Sequence, residues 1–100
     1  YNIGMGAFSL RELESGSSNL MFGKNSGMNI TTGNRNIGIG GQSYDGATTE
    51  SDNIAIGYAA LQAADGAEDN NIAIGSGAGQ SINNDASADN VGAAPFFTIT

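Results

Sequence analysis

The pentapeptide NIAIG occurs twice in this chain, at residues 53–57 and 71–75, and three close variants precede it: NIGMG (2–6), NLMFG (19–23) and NIGIG (36–40). A weaker NVGAA follows at 90–94, and the opening asparagines stand 17, 17, 17, 18 and 19 residues apart. A catalytic site needs each of its groups once. Repetition at near-constant spacing therefore points to architecture before chemistry. The period narrows the choice of fold. Seventeen residues cannot hold a helical pair, which needs about 33 or more, and the L-x-x-L-x-L pattern of leucine-rich units is absent. One coil of a β-solenoid does fit, with strands of successive coils stacked about 4.8 Å apart. The sequence thus predicts an all-β chain, a β-solenoid or β-roll of coils of about 17 residues. Residues 1–82 are expected to form five coils, and 83–100 a decayed sixth repeat leading into a following module.

Within each copy, large apolar residues alternate with a small one. Ile3/Met5, Leu20/Phe22, Ile37/Ile39, Ile54/Ile56 and Ile72/Ile74 share one face of an extended segment, with Gly4, Met21, Gly38, Ala55 and Ala73 on the other. The large row is expected inside the coil, with Ile3, Leu20, Ile37, Ile54 and Ile72 aligned in one ladder. Glycine in a strand marks close approach of another backbone. Gly4, Gly38, Ala55 and Ala73 are therefore expected to pack against another copy of the chain. The recurring Asn2, Asn19, Asn36, Asn53, Asn71 and Asn90 have two structural readings: an amide ladder along the stack, or a cap on each coil's own turn. Gly6, Gly23, Gly40, Gly57 and Gly75 close the strands, where a corner with positive φ suits glycine. A second apolar row runs through Leu13, Ile30, Ala47, Ala64 and Ile82, and a weaker one through Leu10, Gly27, Tyr44, Leu61 and Gly79. SLRE (9–12) and AALQAAD (59–65) lean towards helix. Equivalence with MNITTG (28–33) restricts them to a single turn at most.

Composition agrees with thin, turning β-structure: 16 glycines, one proline and only 39% hydrophobic residues. Three basic residues against ten acidic ones give a net charge of −7, which argues against nucleic acid as a partner. No apolar run reaches the roughly 20 residues of a membrane-spanning helix. Because Tyr1 already falls in step with the repeat, the chain is read as a segment of a longer protein.

With no His and no Cys, Ser-His-Asp and Cys-His arrangements and the usual zinc sites are excluded. GSGAGQS (75–81) has the look of a phosphate loop but lacks the lysine and the P-loop spacing. GGQSYDGAT (40–48) faintly resembles a calcium-binding nonapeptide, yet Asp45 has no counterparts in register. Asp65, Glu68 and Asp69 could gather a cation, although solvated loop acids explain them better. Asn29-Ile30-Thr31 is a glycosylation sequon that carries little weight. Tyr44 and Tyr58 are aromatics near coil corners, read as packing groups ahead of ligand contacts. Catalytic residues, cofactors and metal ions are accordingly not expected.

The segments GNRNIGIGGQSY and SDNIAIGYAALQAADGAEDNNIAIGSGAG resemble the N-x-A-I-G-x-x-A-L repeats of bacteriophage tail fibres. They are similar also to the head repeats of trimeric autotransporter adhesins, whose shorter units carry an S-x-A-I-G core. The likeness covers residues 2–79, and the 17-residue period lies nearer the fibre repeats than the roughly 14-residue adhesin units. It implies an intertwined or side-by-side homotrimer, a shaft segment of a virion tail fibre serving host attachment. The implied partners are the chain itself, other fibre or baseplate proteins, and a host receptor met through a distal tip outside this segment. The alternative is the head of a bacterial surface adhesin. An ice-binding solenoid is a third class, but it wants a regular Thr-x-Thr row, and within the repeats only Thr31-Thr32 and Thr48-Thr49 are present, out of strict pattern.

Overall fold

In the computed structural model, which describes residues 1–64 and 69–80, the chain winds as a β-solenoid of about four turns. Each turn contributes one short strand: β1 (Ile3–Met5), β2 (Leu20–Phe22), β3 (Ile37–Ile39), β4 (Ile54–Ile56) and β5 (Ile72–Ile74). They form a single parallel sheet in the order β1-β2-β3-β4-β5. The register is fixed by the repeat, so that Ile3 pairs with Leu20, Leu20 with Ile37, Ile37 with Ile54 and Ile54 with Ile72. Asn90, Ile82 and the expected sixth repeat lie outside the described residues, as do Asp65 and Glu68.

Coil-to-coil hydrogen bonds continue well beyond the strands. Ile3, Leu20, Ile37 and Ile54 each donate to the carbonyl of the asparagine in the next coil at 2.8 Å. Past the corner, Gly23, Gly40, Gly57 and Gly75 donate back to Met5, Phe22, Ile39 and Ile56 at 2.7 Å. Farther round, Leu10, Gly27, Tyr44 and Leu61 donate to Ser26, Ser43, Ala60 and Ala78. Short strands therefore understate the pairing, which follows most of the coil's perimeter.

The corner glycines are required twice over. Gly6, Gly23, Gly40, Gly57 and Gly75 have φ between 124° and 137°. A Cβ on Gly23 would also lie 2.5 Å from the Gly40 carbonyl oxygen, and one on Gly57 2.5 Å from that of Gly75. Beyond each corner the backbone returns repeatedly to the left-handed region, and here non-glycine residues occupy it: Phe8, Asn25, Gln42 and Ala59 in one row, Leu10, Tyr44 and Leu61 in a second. A third row, Ser18, Arg35, Asp52 and Asn70, precedes the strands. These alternations replace the helical turn that SLRE and AALQAAD suggested. Ser9 and Arg11 do bond back three residues, to Gly6 and Phe8. Left-handed Phe8 and Leu10 stop the turns from joining into a helix.

The interior reverses the sidedness expected from the sequence. Met21, Ala55 and Ala73 are fully buried within their own chain. Gly38 is buried as well, and a Cβ there would meet Met21 Sδ at 2.5 Å and Ser26 Oγ at 2.9 Å. At Gly4 in the first coil the same direction leads to Ser9 Oγ at 3.1 Å and Leu10 Cδ1 at 3.3 Å. The row Gly4, Gly38, Ala55 and Ala73 thus points into the coil, not towards another chain. The row Ile3, Leu20, Ile37, Ile54 and Ile72 points out, with Ile3 55% and Ile72 44% exposed.

The reason is volume. A 17-residue coil encloses little space, and that space is already taken by Ile30, Tyr44, Ala47, Leu61 and Ala64, with Leu10 and Leu13 packed against them. The strand's inward position must be small to fit. Where the opposite side is thin it grows: Met21 fills the room left by Gly27, whose hypothetical Cβ would lie 2.8 Å from Met21 Cγ. In the next coil the exchange runs the other way, with Tyr44 large and Gly38 and Ala47 small. Close packing is conserved coil by coil while the individual residues vary.

Candidate functional site: an apolar sheet face

The asparagine row holds the sheet in place from one edge. Asn19, Asn36, Asn53 and Asn71 are 2% exposed or less. The side-chain oxygens of Asn2, Asn19, Asn36 and Asn53 each accept the backbone N–H of the asparagine one coil on, from Asn19, Asn36 and Asn53 at 3.0 Å and from Asn71 at 2.7 Å. Carboxamide also meets carboxamide at 3.1 Å, from Asn19 to Asn2, Asn36 to Asn19 and Asn71 to Asn53. The remaining amide hydrogen turns back on the same coil, where Asn2 donates to Gly16 O, Asn19 to Gly33 O and Asn36 to Glu50 O. Each side chain is therefore ladder and cap together. Asn53 departs from the pattern, donating to the Tyr44 hydroxyl at 2.6 Å and to Ser51 O at 3.1 Å.

With the inner side filled, strand alternation drives two columns of large apolar side chains outward. One is Ile3, Leu20, Ile37, Ile54 and Ile72; the other is Met5, Phe22, Ile39, Ile56 and Ile74. The three middle rungs are half-buried by their neighbours, whereas the outer ones are open, with Met5 62% and Ile74 39% exposed. All ten positions are apolar and they are contiguous across five paired strands. A contiguous apolar surface of this kind marks an interaction site more often than a scatter of single exposed residues does.

Polar groups border the face on both sides. Before the strands, Arg35 donates to Asp52 across adjacent coils, Nε to Oδ1 at 2.6 Å and Nη2 to Oδ2 at 2.8 Å. Their mutual hydrogen bond lowers the Asp52 pKa and raises that of Arg35, with charge attraction adding to both. Both groups are exposed, so the pair contributes little to stability. After the corner come exposed Lys24 and Tyr58, and the Tyr58 ring lies beside Gly41, 3.5 Å from where a Cβ would stand.

The remaining sequence candidates separate cleanly. Tyr44 is fully buried and unavailable to a ligand, whereas Tyr58 is 59% exposed. Asp69 accepts the Ser51 backbone N–H at 2.6 Å. Among the described residues no three His, Cys, Asp or Glu side chains converge as a metal site. Burial raises the Asp45 pKa, with Arg11 acting against the rise. What the sequence reading missed was the outward sheet face itself. Its signal was available in the two other apolar rows, which already supply enough bulk for the interior. The chain matches no family model, no curated protein and no solved structure.

Proposed function

We propose that this chain is a structural shaft segment of a trimeric bacteriophage tail fibre, part of the virion's extracellular host-attachment apparatus. The observation that carries the reading is the outward sheet face, apolar at all ten positions of five rungs. A thin coil with such a face is completed by covering it, and three copies around a common axis can each turn it inward. The sheet then runs along the axis and the polar corners and turns face water. Contact between chains is assigned to the isoleucine columns, in place of the glycine and alanine row. A shaft of this kind joins to other fibre or baseplate proteins and holds a receptor-binding tip, outside this segment, away from the particle.

Sedimentation equilibrium of the 100-residue chain at micromolar concentration tests the assembly. Three times 10.1 kDa is the expected mass. Ile37→Glu with Ile54→Glu should give a folded monomer. A wild-type chain that is well folded and monomeric across that range overturns the reading. The adhesin alternative gives the same mass, and the parent gene separates it: virion genes alongside support the fibre, whereas a membrane-anchor barrel at its end supports the adhesin.

A further inference from the structure

We infer that the β2 rung, and Phe22 in particular, sets the axial register between copies of this chain. The inference rests on the self-association proposed above. A face made of translational repeats has a slip problem. Moving one copy along the axis by one coil, about 4.8 Å, puts each rung where its neighbour stood. The three rungs Ile37/Ile39, Ile54/Ile56 and Ile72/Ile74 present the same two side chains at the same places, so none of them resists that slip. Register is weakly specified wherever a pattern repeats without an exception.

The β2 rung is the exception. It carries Leu20 and Phe22 outward, and Phe22 is the one aromatic residue on the face. A second copy is the occupant that suits this surface, because only a face with the same rung pitch can seat its side chains between all of these rungs at once. In register, the Phe22 rings of neighbouring copies lie at one height and form a single thick layer. After a slip of one coil, each ring meets Met5 or Ile39 of its neighbour. The contact is then overfilled at one level and left with voids at another, and both faults are costly in close-packed contacts.

Phe22 can act this way only if it cannot sink into its own coil, and the inside of the same rung is full. Met21 is completely buried. It occupies the space that Gly27 and Gly38 leave, where a Cβ would lie 2.8 Å and 2.5 Å from Met21 Sδ. The largest outward side chain of the sheet therefore sits on the largest inward one. This pairing occurs in β2 and in no other strand.

Disulfide trapping reads the register directly: bridged Cα atoms stand about 4.4–6.8 Å apart, and an axial offset of one rung, about 4.8 Å, added to a lateral separation of about 5.5 Å carries unlike rungs to about 7.3 Å. Chains carrying Ile39→Cys and Ile56→Cys are mixed, oxidised and mapped by mass spectrometry; a second pair, Ile37→Cys and Ile54→Cys, probes the other column. With Phe22 present, links should join like rungs only. With Phe22→Ile, links between unlike rungs should appear at comparable yield. Adding Ile56→Phe to Phe22→Ile, read through the Ile37 and Ile54 pair, should restore like-rung links, which a general folding defect at position 22 would not do. Unlike-rung links in the wild-type background, or like-rung links alone in Phe22→Ile, overturn the assignment while leaving association intact. A monomeric wild-type chain overturns both readings, and an assembled chain that forms no links in either column removes the sheet face as the contact.

Discussion

Ala55 and its neighbours Ile54 and Ile56 lie on one three-residue strand, yet they face opposite surroundings. Ala55 is fully buried among its own chain's side chains, while the two isoleucines stand half-buried on the outer face. In a thick globular core the larger side chain would be the hidden one. Here size decides the side before hydrophobicity does, because the coil's interior is filled from its other walls. The outcome is a coil in which four of the five strands turn a small residue inward, beside a hydrogen-bonded asparagine row, while every strand turns large apolar groups outward. The inner face serves the coil, and the outer face is the one proposed for association.

The largest test of this contrast places a carboxylate on each side. Ala55→Glu would bury an unpaired charge with no room for it, at a cost of several kcal/mol, and should leave the chain unfolded by circular dichroism. Ile54→Glu should keep the coil, lower its intrinsic stability by less than about 1 kcal/mol, and abolish assembly. If the two variants unfold alike, the strand has no free outer face.

Next in size is the inner polar row. Asn36→Ala removes the acceptor of the Asn53 N–H and the donor to Glu50 O and to the Asn19 side chain. Buried groups left unpaired cost about 1–3 kcal/mol each, so a loss of about 2–5 kcal/mol in urea unfolding is expected. The same change at Asn2, in the exposed first coil, should cost no more than about 1 kcal/mol. Equal losses would mean that burial of the row contributes nothing to its strength.

A smaller effect belongs to Asp45, on the wall away from the sheet. Burial raises its pKa above the ordinary carboxylate value, with Arg11 acting against the rise. The folded chain then holds this proton more tightly than the unfolded chain does. The associated stability is present below the unfolded pKa and is lost as pH rises through the folded one. Asp45→Asn should therefore raise stability at neutral pH and remove that acid-side fall, read from urea midpoints between about pH 3 and 7. Asp52 carries the opposite sign. Its pKa is lowered by the Arg35 hydrogen bond, and its contribution is lost as pH falls through that lowered value.

The solenoid and its strands were legible because period and alternation are properties of the sequence itself: each NxxxG copy became one strand and one corner. Sidedness was not legible from alternation, which marks two faces without saying which is inside. Tyr44, Leu61 and Ile30 held that information, since three bulky residues on the other walls leave no room for an inward isoleucine. The left-handed rows were hidden for another reason. Gly77 and Gly79 signal them, as Asn25 does more weakly, but Phe8, Ala59 and Leu61 take the same backbone with no local preference for it. Neighbouring coils impose that geometry through hydrogen bonds such as Ala59 N–H to Gly41 O at 2.9 Å.

That imposed geometry gives the smallest and most discriminating comparison, two alanine-to-glycine changes within one coil. Ala59 has φ 56° and is 3% exposed, and its equivalent in the next coil is Gly77, at φ 70°. A left-handed conformation costs a non-glycine residue about 1–2 kcal/mol. Glycine would recover this while adding about 0.4–1 kcal/mol of unfolded-state entropy and losing one buried methyl group. Ala59→Gly should therefore stabilise the chain, by about 0.5 kcal/mol in urea unfolding of the monomeric Ile37→Glu/Ile54→Glu background. Ala55 sits on an ordinary extended backbone and has no such strain to release. Ala55→Gly should cost about 1 kcal/mol in the same background, through entropy and the lost methyl contacts. Opposite signs would show that the coil keeps its left-handed corners against the preference of their residues. A loss at both positions would mean that packing of the Ala59 methyl group outweighs the strain.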